Sequence, residues 1–301
     1  MAKAMIPANW PYSLEPGLRE VFYTGMSEKP MVYSEVFKVL TSGQAVERDL
    51  ALSGMGIWGA VPDGTPITKD EMEEIARIAY THVTYKKSFA VTKDLIEDEL
   101  YGSINEGITL LGRGARARIE TDAAGVFNNA FAGGGAMPDG GQLCADARAL
   151  VNSTDTNDNR GTAALSYDSL QARITVMNGQ LDDGGIMINA QPDTLVVPTA
   201  LGWTAMDLLK TTSGAPETAE NSYNVFNSYG MKLIVWPYLT DANNWFLIDS
   251  KLARLKFYDR VPVAFEIDQI NGTSSAEYMG RMRFSVGASD YRGIDGSIVA
   301  D

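Results

Sequence analysis

No proline interrupts residues 93–131, and apolar residues recur there every three or four positions: Ile96, Leu100, Ile104, Ile108, Leu111, Ala115, Ile119, Ala123, Val126 and Ala130. That spacing predicts one α-helix with a single apolar face. Thr92 can cap its start and the glycines at 133–135 can end it. At 1.5 Å per residue the helix would span roughly 58 Å. A compact chain of 301 residues makes a globule only about 50 Å across. A helix longer than that globule predicts a flat or elongated subunit, the shape of a part that builds something.

The segments before this helix also read as reaching outward. Residues 1–50 carry prolines at 7, 11, 16 and 30 and scattered aromatics from Trp10 to Phe37, which predicts an extended arm of short pieces. Residues 51–90 predict a long hairpin. Its first limb holds Leu52, Met55, Ile57, Trp58 and Val61, and Pro62-Asp-Gly-Thr-Pro66 supplies a turn. Its second limb, 75–91, is β-branched and aromatic. A lone hairpin of that length is marginal in water and needs a neighbouring surface.

Beyond the long helix the texture is mixed α+β. Residues 133–163 read as loop, including the polar run from Asn152 to Gly161. A second helix starts at Ser166, with Leu165 as a staple. Strands are predicted at 194–197, 231–235, 245–248, 255–267 and 277–286, and a helix after Pro198.

Parts for chemistry are scarce. His82 is the single histidine and sits in a β-rich limb, which predicts a strand-surface position rather than catalysis. Cys144 has no second cysteine, so it predicts packing and excludes an intramolecular disulfide. Residues 155–166 match an EF-hand loop only at the first, third and fifth positions. Arg160 stands where glycine belongs and Ser166 where glutamate belongs, so no metal is predicted. Phosphate-binding glycine loops and the G-x-S-x-G elbow are missing. No cofactor is predicted. No apolar run reaches membrane-spanning length, and no export signal is read at the start. The net charge of −13, with no basic block beyond Lys86-Lys87, argues against tight DNA binding but allows a wall that encloses DNA.

The segment from Tyr80 to Phe131 resembles the hairpin-to-helix region of tailed-phage major capsid proteins, with the closest likeness to the Mu-type major head subunit branch. Asp193-Thr-Leu-Val-Val-Pro-Thr-Ala-Leu201, Trp203-Thr-Ala-Met-Asp-Leu-Leu209, Trp245-Phe-Leu-Ile-Asp249 and Arg283-Phe-Ser-Val-Gly-Ala-Ser-Asp-Tyr-Arg-Gly293 follow in the same order. The resemblance implies an α+β fold of the HK97 capsid type. It divides the chain into an N-terminal arm (1–50), an extended E-loop (51–90), a peripheral domain (91–182 and 254–287, with spine helix 93–131) and an axial domain (183–253 and 288–301). It implies a non-enzymatic shell subunit forming hexamers and pentamers around a double-stranded DNA genome. Further implied partners are a scaffolding protein on a separate chain, a portal protein and a decoration protein, with assembly in the bacterial cytoplasm and residence in the virion. Lys69, Lys86 and Lys87 lie in or beside the E-loop, but no partner for a covalent crosslink is matched. The same fold would also serve an encapsulin-like compartment. A soluble α+β enzyme working through carboxylates is the alternative of another class.

Two mechanical expectations follow. Gly107, Gly112 and Gly114 interrupt the long helix, each at a cost of about 1 kcal/mol relative to alanine. They predict either a hinge at Gly112 and Gly114 that flexes as the shell expands, or close packing. Arg113, Arg116 and Arg118 are expected to pair with acidic groups of a neighbouring subunit, Glu73 and Glu74 among residues 70–74.

Overall fold

The computed structural model describes residues 10–67, 69, 74–92, 101–134, 136–137, 140–151, 153–211, 224–269 and 275–299. The helices are α1 (Trp10–Ser27), α2 (Tyr33–Val36), α3 (Tyr101–Asn128), α4 (Tyr167–Asn178), α5 (Gly202–Lys210) and α6 (Val225–Tyr229). The strands are β1 (Lys38–Thr41), β2 (Val46–Leu52), β3 (Glu74–Thr81), β4 (Val83–Thr92), β5 (Arg148–Ala149), β6 (Thr156–Asn157) and β7 (Arg160–Gly161). They continue with β8 (Thr194–Val197), β9 (Lys232–Val235), β10 (Trp245–Ile248), β11 (Leu255–Gln269), β12 (Ser275–Ala288) and β13 (Ile294–Ser297).

The first sheet runs β1-β11-β12-β4. From Ser275 to Phe284 strand β12 alternates: Tyr278, Met282 and Phe284 are buried, while Glu277, Arg281 and Arg283 are half-buried on the opposite face. That period of two is the signature of a sheet covered on one side. The cover is α3. Its first half, through Ile104, Ile108 and Leu111, packs with Val91, Phe265 and Tyr278. Its second half, through Ile119, Ala123, Val126 and Phe127, packs with Phe257, Met282 and Phe284.

The second sheet runs β7-β13-β10-β8-β9. Every residue of β8, β10 and β13 is buried, because both faces are covered. Leu195, Val197, Trp245 and Leu247 meet α4, α5 and α6. Val196, Phe246, Ile248 and Ile294 meet the C-terminal half of α3. One helix therefore joins the two sheets. Ser166 caps α4 through a reciprocal pair with Ser169, as its position predicts.

Several elements differ from the sequence reading. Residues 10–27, expected as extended pieces, form the single helix α1. Leu18, Val21 and Phe22 return at helical spacing and are covered by α3, which outweighs the prolines. Helix α3 ends at Asn128, three residues before the expected end. There the Asn128 side chain turns to Tyr238 O and Thr240 N, at 3.1 and 3.0 Å. Its expected first turns, 93–100, lie outside the described residues. The limb 75–91 is not one strand. It breaks at His82, so that β3 pairs with β2 and β4 pairs with β12.

Candidate functional site

The most exposed apolar side chains cluster on the 53–67 loop between β2 and β3. Trp58 is 94% exposed, Ile57 and Ile67 are each 80% exposed, and Met55 and Val61 are about half exposed. A large indole in water is unusual for a finished surface. The root of the loop is fixed. Ser53 is buried, and Gly54 and Gly184 approach so closely that a Cβ on Gly184 would sit 2.5 Å from Met55 O. A clamped root with an apolar tip makes a rigid donor of surface, not a loose tail.

The hairpin that carries this loop is joined to the first sheet by polar contacts. His82 is buried, not on the strand surface as expected. Its Nε2 lies 3.0 Å from Ser42 Oγ and its Nδ1 lies 2.9 Å from Ser285 Oγ. Ser42 donates its own proton to Glu47 Oε1 at 2.6 Å, so it accepts from Nε2–H and leaves Nδ1 to accept from Ser285. Burial, with Arg283 and Arg260 nearby, pushes the imidazole pKa below its ordinary value, despite Glu47. Next to it, Asp49 of β2 takes Lys256 and Ser289. Burial opposes the Asp49 carboxylate, yet those partners hold its pKa below the usual range. Tyr80 OH meets Ser289 Oγ at 2.6 Å.

The predicted hinge glycines occupy unlike places. A Cβ on Gly112 would stand 2.3 Å from Phe22 O of α1. On the facing helix, a Cβ on Gly25 would stand 2.6 Å from Thr109 O. These two glycines let α1 and α3 touch backbone to backbone. A Cβ on Gly114 meets nothing within 4 Å, and α3 runs unbroken through all three positions.

Three of the predicted inter-subunit charges, Arg113, Arg118 and Glu74, have partners inside the chain. Arg113 grips Glu28 at the end of α1 in bidentate fashion, at 2.6 and 3.0 Å. Arg118 pairs with Asp122 and lies over the Tyr85 ring at 4.6 Å. Glu74 pairs with Arg77. Arg116 is half-buried, with Nη1 lacking a hydrogen-bond partner. Glu73 lies outside the described residues.

Sequence reasoning missed three buried polar joints. Glu120 of α3 accepts from Val32 N at 2.6 Å, Tyr33 N at 3.3 Å and Trp236 Nε1 at 2.7 Å. It thereby ties α2, the long helix and the second sheet at one carboxylate. Asn157 and Asn159, read as part of a solvated loop, are buried and bond Leu181 O, Tyr291 OH, Leu143 O and Ile294 O. Asp295 of β13 is fully buried against Arg173. Burial pushes its pKa up to about 6, against the pull of Arg173. A glutamate amid the apolar run of α3 was the one visible hint of such joints.

Cys144 is buried and free, its thiol pushed well up by burial. Among the described residues no group of three or more His, Cys, Asp or Glu side chains could hold a metal ion. No helix among them is long and apolar enough to cross a membrane.

Known proteins match this architecture. The mature capsid of bacteriophage PhiM1 aligns at 12% identity and a TM-score of 0.60, over 91% of this chain and 88% of that one. The capsid of cyanophage P-SCSP1u aligns at 12% identity and 0.59, over 91% and 89%. A virus-like particle from Pyrococcus furiosus aligns at 11% identity and 0.56, over 94% and 98%. No curated protein matches the chain. At such identities the structures show the shared HK97-type fold. A family described as phage capsid protein matches residues 75–294, most of the chain, and so the chain belongs to the phage capsid protein family.

Proposed function

We propose that this capsid protein is the repeating subunit of an icosahedral head, joined as hexamers and pentamers around double-stranded DNA. The observation that carries the reading is the 53–67 loop, which holds Trp58 and Ile57 in solvent on a clamped root. Burial of that apolar side calls for a further surface, which another copy supplies. The net charge of −13 suits a wall that encloses DNA without gripping it. The two sheets share a core along α3, and each has a further core of its own, which supports a peripheral and an axial part. The packing of α4 on the second sheet supports counting that helix with the axial part, although residues 91–182 were expected in the peripheral one. A scaffolding chain, a portal and a decoration protein would complete the head in the bacterial cytoplasm.

The test is light scattering with electron microscopy on the purified chain and on Trp58→Ala. Wild type should form closed shells, or capsomers that convert to shells. The variant should fold normally and stop short of shells. A wild-type chain that stays monomeric with scaffold co-expressed would refute the reading. Shells loaded with a co-expressed enzyme instead of DNA would make it a compartment.

A further inference from the structure

The hairpin that carries the apolar loop is held at two places, and the two holds belong to different sheets. Its base is fixed to the first sheet by His82 on Ser285 and by Asp49 on Lys256 and Ser289. Five residues beyond Asp49, roughly 17 Å of extended chain, the loop root meets the turn Asp182-Asp-Gly-Gly185 that leads from α4 to β8. A Cβ on Gly54 would stand 2.6 Å from Asp182 Oδ2 and 3.1 Å from Gly184 N, and one on Gly184 would stand 2.5 Å from Met55 O. Neither glycine has a positive φ. Their missing side chains therefore serve the approach of two backbones, not the local conformation. Gly185, with a φ of 78°, serves the turn itself.

The turn is tied in its own right to the second sheet. Asp182 Oδ1 accepts from Gly184 N and Ile186 N at 2.9 and 2.8 Å, which closes the turn. Asp183 is buried and pairs with Arg292. Leu181 N donates to Asn157 Oδ1 at 2.9 Å, and Leu181 O accepts from Asn157 Nδ2 at 2.7 Å. Gln180 Oε1 accepts from Gly293 N at 3.3 Å. Gly293 O in turn accepts from Asp249 N, just past β10, at 2.8 Å. Hydrogen bonds and close contacts thus run from β10 through the 182–185 turn to the loop root.

We infer that the 182–185 turn is a seat that sets the direction of the apolar loop, so that the loop follows the second sheet while its hairpin pivots on the first. A shift of one sheet against the other then changes where Trp58 points. The seat has little slack, because at Gly184 both partners are backbone and no side chain can give way. The device belongs to the single chain and goes beyond the shell-forming reading, so it stands or falls on the unassembled subunit.

The test is native-state cleavage of that subunit by chymotrypsin after Trp58, together with hydrogen exchange of the 53–58 and 180–188 amides. Cleavage within a folded chain requires local opening. Gly184→Ala drives a Cβ into Met55 O, and the overpacked contact should raise cleavage about ten-fold. Gly54→Ala meets first the Asp182 carboxylate, which can turn aside. It should raise cleavage less, and it guards against a Gly184 variant that folds poorly. Asp183→Asn touches no loop residue, yet it weakens the hold of Arg292 and should speed exchange in both segments together. Gly43→Ala, at the base of the same hairpin, has nothing within 4 Å of its Cβ and should leave cleavage and exchange as in wild type. Wild-type cleavage in both seat variants would overturn the inference, as would equal acceleration in Gly43→Ala. Exchange at 53–58 that stays unchanged in Asp183→Asn would overturn the link to the second sheet. None of these results depends on whether the chain forms shells.

Discussion

Replacing Gly112 by alanine should separate packing from flexing in the long helix. The added Cβ would lie 2.3 Å from Phe22 O and 3.0 Å from Met26 N. Both are backbone atoms of α1, so no side chain can move aside, and the helices must part. Overpacking of this kind costs typically about 1–3 kcal/mol. Alanine returns about 1 kcal/mol through helix propensity. The net expectation is a loss of up to about 2 kcal/mol, with α1 lifting from α3. Gly114→Ala is the internal control, because its Cβ meets nothing within 4 Å. It should gain up to about 1 kcal/mol. Urea unfolding of the unassembled subunit measures both. Equal effects at the two sites, or a stabilised Gly112→Ala, would refute the packing argument. The proposed hinge is tested on assembled shells. If α3 bends at this point, Gly114→Ala shells should assemble and then fail to expand. Normal expansion would remove the hinge and leave Gly112 as a contact residue only.

The remaining predictions concern the polar joints. His82 has a folded pKa below its ordinary value, so its contribution to stability is full above the unfolded pKa and is lost as pH falls through the folded one. His82→Asn should flatten the fall of melting temperature over that acidic window, and an unchanged slope would count against the buried imidazole. Glu120→Gln keeps the shape but points an amide N–H₂ at N–H donors from Val32, Tyr33 or Trp236. It should cost about 1–3 kcal/mol and shift Trp236 fluorescence, whereas no change in either would mean that the carboxylate is dispensable. Arg173→Met leaves the carboxylate of Asp295 buried without its partner, and should cost about 3–5 kcal/mol near neutral pH. Because burial holds the folded Asp295 pKa up to about 6, that cost should shrink on acidification as Asp295 becomes protonated. A cost independent of pH would refute the pairing.

What the sequence made legible was periodicity. The apolar stripe of α3, the cap at Ser166 and the strands β8, β10 and β12 all follow from local spacing and appear where they were expected. Other features depend on elements distant in the chain, and spacing does not carry them. Helix α1 was hidden because its prolines outweigh its propensity, while the reason to form it lies on α3. The break at His82 was hidden because the segment 75–91 has uniform β texture. Only the choice between β2 and β12 as partner decides where one strand ends and the next begins. Strand β13 was missed because Gly296 and Asp295 look like loop residues. A Cβ on Gly296 would stand 2.7 Å from the Phe246 ring and 2.9 Å from Cys144 Sγ, so the strand enters the second sheet only because that residue has no side chain. Among the site residues, the exposed apolar loop residues could be read in advance. The in-chain partners of Arg113, Arg118 and Glu74 could not.

The distribution of joints has a mechanical consequence. Within each part, cohesion is apolar: Phe127, Phe246 and Trp236 in one core, Leu170, Leu195 and Trp245 in another. Between parts, single polar groups act beside apolar contacts such as Phe37 with Trp236 and Tyr80 with Tyr258. Glu120 holds the α2 segment and the second sheet, while His82 and Asp49 hold the hairpin. A hydrogen bond contributes only about 1 kcal/mol net, but an unmet buried partner costs more. Such a joint therefore tolerates exchange of one partner for another far better than it tolerates loss. Apolar interfaces behave differently, since sliding them opens cavities and exposes surface at once. On the proposed reading, a subunit that repeats around both five-fold and six-fold centres must present one folded core in slightly different postures. On that reading, a polar joint such as His82 with Ser285 lets the hairpin adopt those postures. Replacing the His82–Ser285 contact by a tight apolar pair should then preserve stability yet narrow the range of shells the subunit can close.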